Sequence, residues 1–245
     1  MELVMSMHTV ISPCYAALPA SRADLLNYLI EKFQALKFNR FQLRLKANRT
    51  SNLSTELVLG NYPEEWRDIY DKAGYARIDP VANHCMNNVL PVIWADELYQ
   101  SPEQCSLRQM ALRYNLKHGL TFALHGPRGQ YGTLNINIKT SDSAFAHTVI
   151  RQKMGELSAL RDLALQTSLT LIIPAAHPAQ VALTRREKEL LQWSAIGKTT
   201  WEIANICSCS EANVDFHFKN IRRKFGVATR SAAIVQALSM QLIHL

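Results

Sequence analysis

"SCSEANVDFHFKNIRRKF" (residues 208–225) is the stretch from which the rest of the chain is best read. Val214, Phe218, Ile221 and Phe225 recur at i, i+4, i+7 and i+11, which is one apolar stripe of a helix. Ser210 stands where an N-cap is wanted. The other faces carry Asn213, Asp215, His217, Lys219, Asn220, Arg222, Arg223 and Lys224, and four of the six residues of KNIRRK are cationic. Upstream, Thr184 and Glu187 form the pattern of a capping box, Leu190, Leu191 and Ile196 follow, and Gly197 closes that helix. Thr199 or Thr200 caps a short second helix, WEIANIC, and SCS leads tightly into the third. A basic run alone is usually a solvated helix face. Within a capped helix–turn–helix, the second helix of the pair is the one presented to a major groove.

The charge distribution agrees. Residues 182–245 hold nine Lys/Arg against five Asp/Glu, +4 of the formal +7 of the chain. A polyanionic partner gains from that concentration.

This module resembles the four-helix LuxR-type DNA-binding domain. The resemblance rests on Leu183-Thr184, Arg186-Glu187, Leu191, Trp193, Gly197-Lys198-Thr199, Glu202-Ile203-Ala204, Ser210, Val214, His217, Asn220-Ile221 and Lys224. It implies that the third helix enters the major groove and that a last helix, Thr229 to Leu242, serves dimerisation. DNA contacts are then expected from Lys198, Thr199, Asn213, Asp215, His217, Lys219, Asn220, Arg222, Arg223 and Lys224. Asp215 departs from the family, which usually has Asn or Arg there. A carboxylate can accept from cytosine N4 but repels phosphate.

Ahead of this module, IIPAAHPAQVA reads as a linker with Pro174 and Pro178 among small residues. The expected division is residues 1–173, a linker at 174–182, and 183–245. Residues 21–37 are patterned as an amphipathic helix capped by Ser21. RFQLRLK (40–46) alternates as a strand, ELVLG (56–60) is a second strand, and residues 120–126 and 131–139 form a hairpin pair around GPRGQ. A long helical pattern covers 145–168. The expected class is α+β: an α/β/α sandwich with an antiparallel sheet, then an all-α four-helix module.

"NYPEEWRDIYDKAGYARIDPV" (61–81) places Tyr62, Trp66 and Tyr70 four apart, on one face of an expected helix, followed by Asp79-Pro80. Aromatic stripes are usually core, and Asp-Pro is usually a turn or a helix start. However, "GNYPEEWRDIYDKAGYARIDPVANHC", "VLPVIW" and "LHGPRG" resemble the acyl-homoserine-lactone-binding domain of LuxR-family quorum-sensing regulators. By that resemblance Trp66 bonds the lactone carbonyl, Tyr62 the amide carbonyl and Asp79 the amide N–H. Tyr70 and Trp94 wall the head group, Arg67 reaches a 3-oxo group through water, and Leu116 and Thr121 complete the pocket. Val81 and Asn135 stand where the quorum-sensing pattern that the chain resembles has Thr and Ser. Gln42, Arg44 and Glu56 replace small or apolar residues beside the acyl tail. An unpaired buried charge is costly, so either these groups face solvent or Arg44 pairs with Glu56 and shortens the tail channel.

The implied protein is a transcription factor that binds an N-acyl-homoserine lactone, dimerises, and regulates a promoter through RNA polymerase. The alternative is a regulator sensing a non-lactone molecule or acting without ligand. No enzyme is expected: there is no G-x-S-x-G elbow and no H-x-H-x-D metal set, and His118, His125 and His177 are isolated, as at surfaces or turns. Cys14, Cys85, Cys105, Cys207 and Cys209 are scattered and expected to be reduced, so no metal or cofactor is expected beyond the signal ligand. The amino-terminal stretch lacks a basic n-region and no apolar run reaches eighteen residues, so a cytoplasmic protein without membrane association is expected.

Overall fold

The computed structural model describes residues 18–47, 56–127, 129–172, 182–240 and 242–243. The expected linker except Ala182, residues 1–17 with Cys14, Arg128 of the hairpin turn, and His177 lie outside them. The chain divides into two compact units, Met1–Pro174 and Ala175–Leu245.

Among the described residues the first helix of the first unit is α1 (Arg22–Ala35), capped by the Ser21 side chain, which accepts from Asp24 N–H. Strands β1 (Arg40–Lys46), β2 (Glu56–Gly60), β3 (Val92–Ile93), β4 (His118–His125) and β5 (Tyr131–Ile138) form one antiparallel sheet of order β2-β1-β5-β4-β3. Successive side chains of a strand point to opposite faces. One face carries Phe41, Leu43, Leu45, Leu57, Leu59, Leu120, Phe122, Leu124, Leu134 and Ile136, which are buried in one core with residues of α1 and α5 (Ser143–Ile172). The opposite face carries Gln42, Thr121, Ala123 and Asn135. Its neighbours come from α2 (Glu64–Lys72), α3 (Pro80–Asn87) and α4 (Pro102–Arg113), which contribute Trp66, Val81, Cys85, Leu107 and Ala111 to a second apolar cluster. The unit is therefore the expected α/β/α sandwich.

The second unit is α6 (Arg185–Ala195), α7 (Thr200–Ile206), α8 (Glu211–Phe225) and α9 (Arg230–Ser239). Thr184 with Glu187, and Thr199 with Glu202, form complete capping boxes, and Ser210 and Thr229 cap α8 and α9. Gly226 ends α8 in the left-handed region at φ 66°, which costs glycine nothing. Val214, Phe218 and Ile221 are buried beside Leu190, Leu191, Ile203, Ala233 and Ala237. The last helix ends at Ser239, three residues short of the expected Leu242.

Candidate functional site

Tyr62 was expected on a helix with Trp66 and Tyr70. Instead it precedes Pro63, the N-cap residue of α2. The proline ring clashes with helical backbone at the preceding residue, so Tyr62 lies outside the helix. It still faces the same space. Trp66 and Tyr70 do share a helical face, edge to face at 5.8 Å between centroids, and Trp66 also packs on Tyr114 at 5.7 Å.

These residues border a cavity of about 90 Å³ between the polar sheet face and α2–α4. The sequence-derived candidates Gln42, Arg44, Tyr62, Trp66, Tyr70, Asp79, Val81, Trp94, Leu116 and Asn135 all line it. Arg67, Thr121 and Glu56 do not. Ala82, Tyr99, Leu107, Arg108, Ala111 and Thr133 line it without having been singled out. Three of these, Leu107, Arg108 and Ala111, lie on α4, which the pattern reading passed over. Its start was legible in Ser101-Pro102-Glu103-Gln104, a capping box with proline at the first helical position.

Asp79 caps α3. One carboxylate oxygen accepts from Val81 N–H at 2.9 Å and the other from the Tyr70 hydroxyl at 2.8 Å. Burial raises its pKa, partly offset by the Tyr70 hydroxyl and the backbone N–H groups of Val81 and Ala82. A carboxylate has about four lone-pair sites, so capacity remains for another donor. Burial also raises the phenols of Tyr62, Tyr70 and Tyr99, which stay protonated donors. The Tyr62 hydroxyl is buried and has no hydrogen-bond partner among the described residues, and an unpaired buried donor is costly.

On the sheet side the polar groups are tied to one another. Trp94 Nε1 donates to Thr121 Oγ1 at 2.8 Å, and that hydroxyl donates to Asn135 Oδ1 at 2.7 Å. Asn135 Nδ2 lies 3.3 Å from Thr133 Oγ1 and 3.4 Å from the Gln42 carbonyl. Thr121 is thus a buttress behind Trp94. Gly119 lets the indole lie on the sheet, because a Cβ there would sit 2.7 Å from its ring and 2.3 Å from the Ile136 carbonyl. Arg108 is buried, donating to Asp96 and to the carbonyls of Leu116 and Lys117, and so fixes α4 to the approach of β4. Arg67 is half-buried and its Nε has no partner.

The Arg44–Glu56 pairing exists at 3.7 Å, but the shorter partner is Asp71 of α2, at 2.7 Å. His118 is buried at the start of β4, not at a surface or turn, and burial lowers its pKa. Among the described residues no group of three or more His, Cys, Asp or Glu is placed to hold a metal ion. No helix among them is long and apolar enough to cross a membrane.

In the second unit α8 exposes Asn213, Asp215, Lys219 and Arg223, with His217, Asn220 and Arg222 half-buried. Phe216 joins them, 61% exposed, and was not anticipated. Several expected contact residues are engaged internally. Lys224 Nζ binds the buried Glu187 carboxylate at 2.7 Å and the Ala182 carbonyl at 2.8 Å. Arg222 reaches the Ala228 carbonyl at 3.1 Å beyond the end of its own helix. Lys198 pairs with Glu202, whose pKa falls to about 2 through that lysine and the Thr199 backbone and hydroxyl. Thr199 is the cap of α7. Arg230 stacks 4.0 Å from the Phe218 ring and donates to Ser194, Thr200 and the Lys198 carbonyl. It ties all four helices together.

A small-molecule cavity in one unit and a capped helix–turn–helix in the other define a ligand-regulated transcription factor. Residues 21–167 match the autoinducer-binding-domain family, and residues 181–237 match the family of bacterial regulatory proteins of the luxR type. The chain belongs to the LuxR family of quorum-sensing transcriptional regulators. It is 33% identical to the transcriptional activator protein VanR of Vibrio anguillarum over 220 residues, 89% of this chain and 90% of that one. It is 32% identical to the quorum-sensing regulator RhlR of Pseudomonas aeruginosa, covering 76% of each. In fold it is similar to SdiA solved in complex with octanoyl-rac-glycerol, with a TM-score of 0.73, 23% identity, and coverage of 100% of this chain and 98% of that one.

Proposed function

We propose that the cavity binds an N-acyl-homoserine lactone, of the 3-oxo type, and that the occupied protein dimerises, binds a pseudo-palindromic promoter site and activates transcription through RNA polymerase. The observation carrying this reading is the Tyr62 hydroxyl, buried with no hydrogen-bond partner among the described residues in a cavity that Trp66 and Asp79 also line. An acyl-homoserine lactone has two carbonyl acceptors and one amide donor, complementary to two donors and one acceptor. Tyr62 donates to the amide carbonyl, Trp66 to the lactone carbonyl, and Asp79 accepts from the amide N–H. Val81 adds no hydroxyl, and Asn135 holds the sheet-side network. Arg67 meets the 3-oxo oxygen through water.

Coupling follows from mass action. A ligand that binds only the folded state at 100 times its dissociation constant stabilises it by about 2.7 kcal/mol. Two copies of α8 then read two half-sites. We place the ligand-binding domain at residues 1–173 and the DNA-binding domain at 183–245, joined by residues 174–182. Asn213, Asp215, His217, Lys219, Asn220 and Arg223 form its DNA face.

The test is the melting temperature of the full chain against a panel of 3-oxo and unsubstituted lactones. Stabilisation that depends on chain length and disappears in Trp66→Phe and Tyr62→Phe is the expected result. A second reading is a non-lactone ligand with a polar head and an apolar tail, as in the SdiA complex with octanoyl-rac-glycerol. A response to 1-acylglycerols without a response to any lactone would select it.

A further inference from the structure

Arg44 stands between the cavity and solvent. It follows Gln42 on the polar face of β1, opposite Thr133 and Val58. Its side chain lines the cavity, whereas its carboxylate partners Asp71 and Glu56 do not. The guanidinium donates to Asp71 at 2.7 Å, lies 3.7 Å from Glu56, and sits 5.8 Å from the centroid of the Tyr70 ring. Arg44 is 20% exposed and Asp71 53% exposed, so the pair marks the border of the cavity and joins the sheet to α2.

Tyr70 measures the interval. Its hydroxyl is on Asp79 and its ring lies beside the guanidinium. The path from the head-group acceptor to the ion pair is therefore bounded by one tyrosine ring and its two contacts, 2.8 Å at the Asp79 end and 5.8 Å from ring centroid to guanidinium at the other. A methylene chain that reaches Arg44 offers it no hydrogen bond. Such a chain must stop there or push the guanidinium off Asp71, separating charge-assisted partners without replacing them.

We propose that the Arg44–Asp71 ion pair, steadied by Glu56, is the chain-length stop of the ligand site, so that the preferred acyl tails are short. This rests on the cavity being the ligand site, and it adds a determinant that the head-group reading does not contain. Asp71, a surface carboxylate on α2, becomes a specificity residue although it never touches the ligand.

The experiment titrates full-length wild type, Asp71→Asn and Arg44→Met calorimetrically with N-hexanoyl- and N-dodecanoyl-homoserine lactone. The matching 1-acylglycerols form a second series with the same tails and a different head. Wild type should prefer the six-carbon tail. Each variant should raise twelve-carbon affinity relative to six-carbon by about tenfold, the scale of one charge-assisted hydrogen bond. The charge-reversed double variant Arg44→Asp/Asp71→Arg should restore the short-tail preference. Asp71→Asn is nearly isosteric and half-exposed, so it keeps the test open if Arg44→Met folds poorly. An unchanged tail preference in well-folded variants overturns the stop and leaves the lactone reading standing. A tail effect confined to the glycerol series supports the stop and overturns the lactone. No binding in either series overturns both.

Discussion

The two units treat polar groups in opposite ways. Among the described residues of the DNA-binding unit each helix start is capped by a side chain, and the one deeply buried carboxylate, Glu187, is matched by Lys224. In the sensor unit a buried phenol, Tyr62, has no partner, and Asp79 sits in surroundings that oppose its charge. A surface that reads a large polyanion can be complete before its partner arrives, because its contacts point outward. A cavity that encloses a small molecule must keep its donors uncommitted, and the ligand completes them. In the proposed site the unpaired Tyr62 hydroxyl is the donor that a ligand would complete.

The contrast can be broken most forcefully at Lys224. Lys224→Met leaves the Glu187 carboxylate buried and unpaired, and should cost the second unit about 3 kcal/mol in denaturant unfolding of the full chain. The folded pKa of Glu187 is lowered: burial opposes its charge, but the Lys224 hydrogen bond and the Thr184 N–H outweigh it. Its contribution is therefore present above the ordinary glutamate pKa and is lost as pH falls through the folded value. An unchanged midpoint would mean that this pair is not structural.

Asp79→Asn tests the other half. Removing the acceptor should weaken lactone binding by about 2 kcal/mol, read as loss of thermal stabilisation. The empty protein should be no less stable. The folded pKa of Asp79 is raised above its ordinary value, so the folded state holds that proton more tightly, and the carboxyl costs stability as pH rises through that window. The substitution should flatten that slope, as melting curves across acidic pH would register. Conversely, the wild-type ligand response should fade as pH drops through the folded value.

Ser101→Ala removes the α4 cap and should cost the sensor unit about 1 kcal/mol. Because α4 supplies Leu107, Arg108 and Ala111 to the cavity, ligand response should weaken with it, whereas operator affinity at saturating ligand should not. The smallest effect is expected at Lys219→Gln. Operator binding should weaken across all sequences and the salt dependence should lose about one unit of slope. An effect confined to one base pair would instead make Lys219 a base reader.

Most of the second unit was legible in the residues themselves. Its helix starts are written in Thr184/Glu187, Thr199 and Ser210, which act within one turn, and its apolar stripe has a strict helical period. Much of the sensor sheet was legible too, because RFQLRLK and YGTLNINIK alternate. Three features were not. Tyr62 left its expected helix because Pro63 excludes helical backbone before it. Asp71 became the main partner of Arg44 because α2 lies across the sheet, a contact twenty-seven positions apart in the chain. Lys224 read as a cation for DNA and turned out to hold Glu187, thirty-seven positions away.

Local order in this chain was determined by the sequence alone: caps, strand alternation and the helix–turn–helix. These depend on neighbours within a few residues, where covalent geometry leaves little choice. Which charges are committed and which donors stay free was decided by the tertiary structure. A side chain's partner depends on which element is packed against it, and that packing is set by the apolar surfaces that close the sheet between its helices.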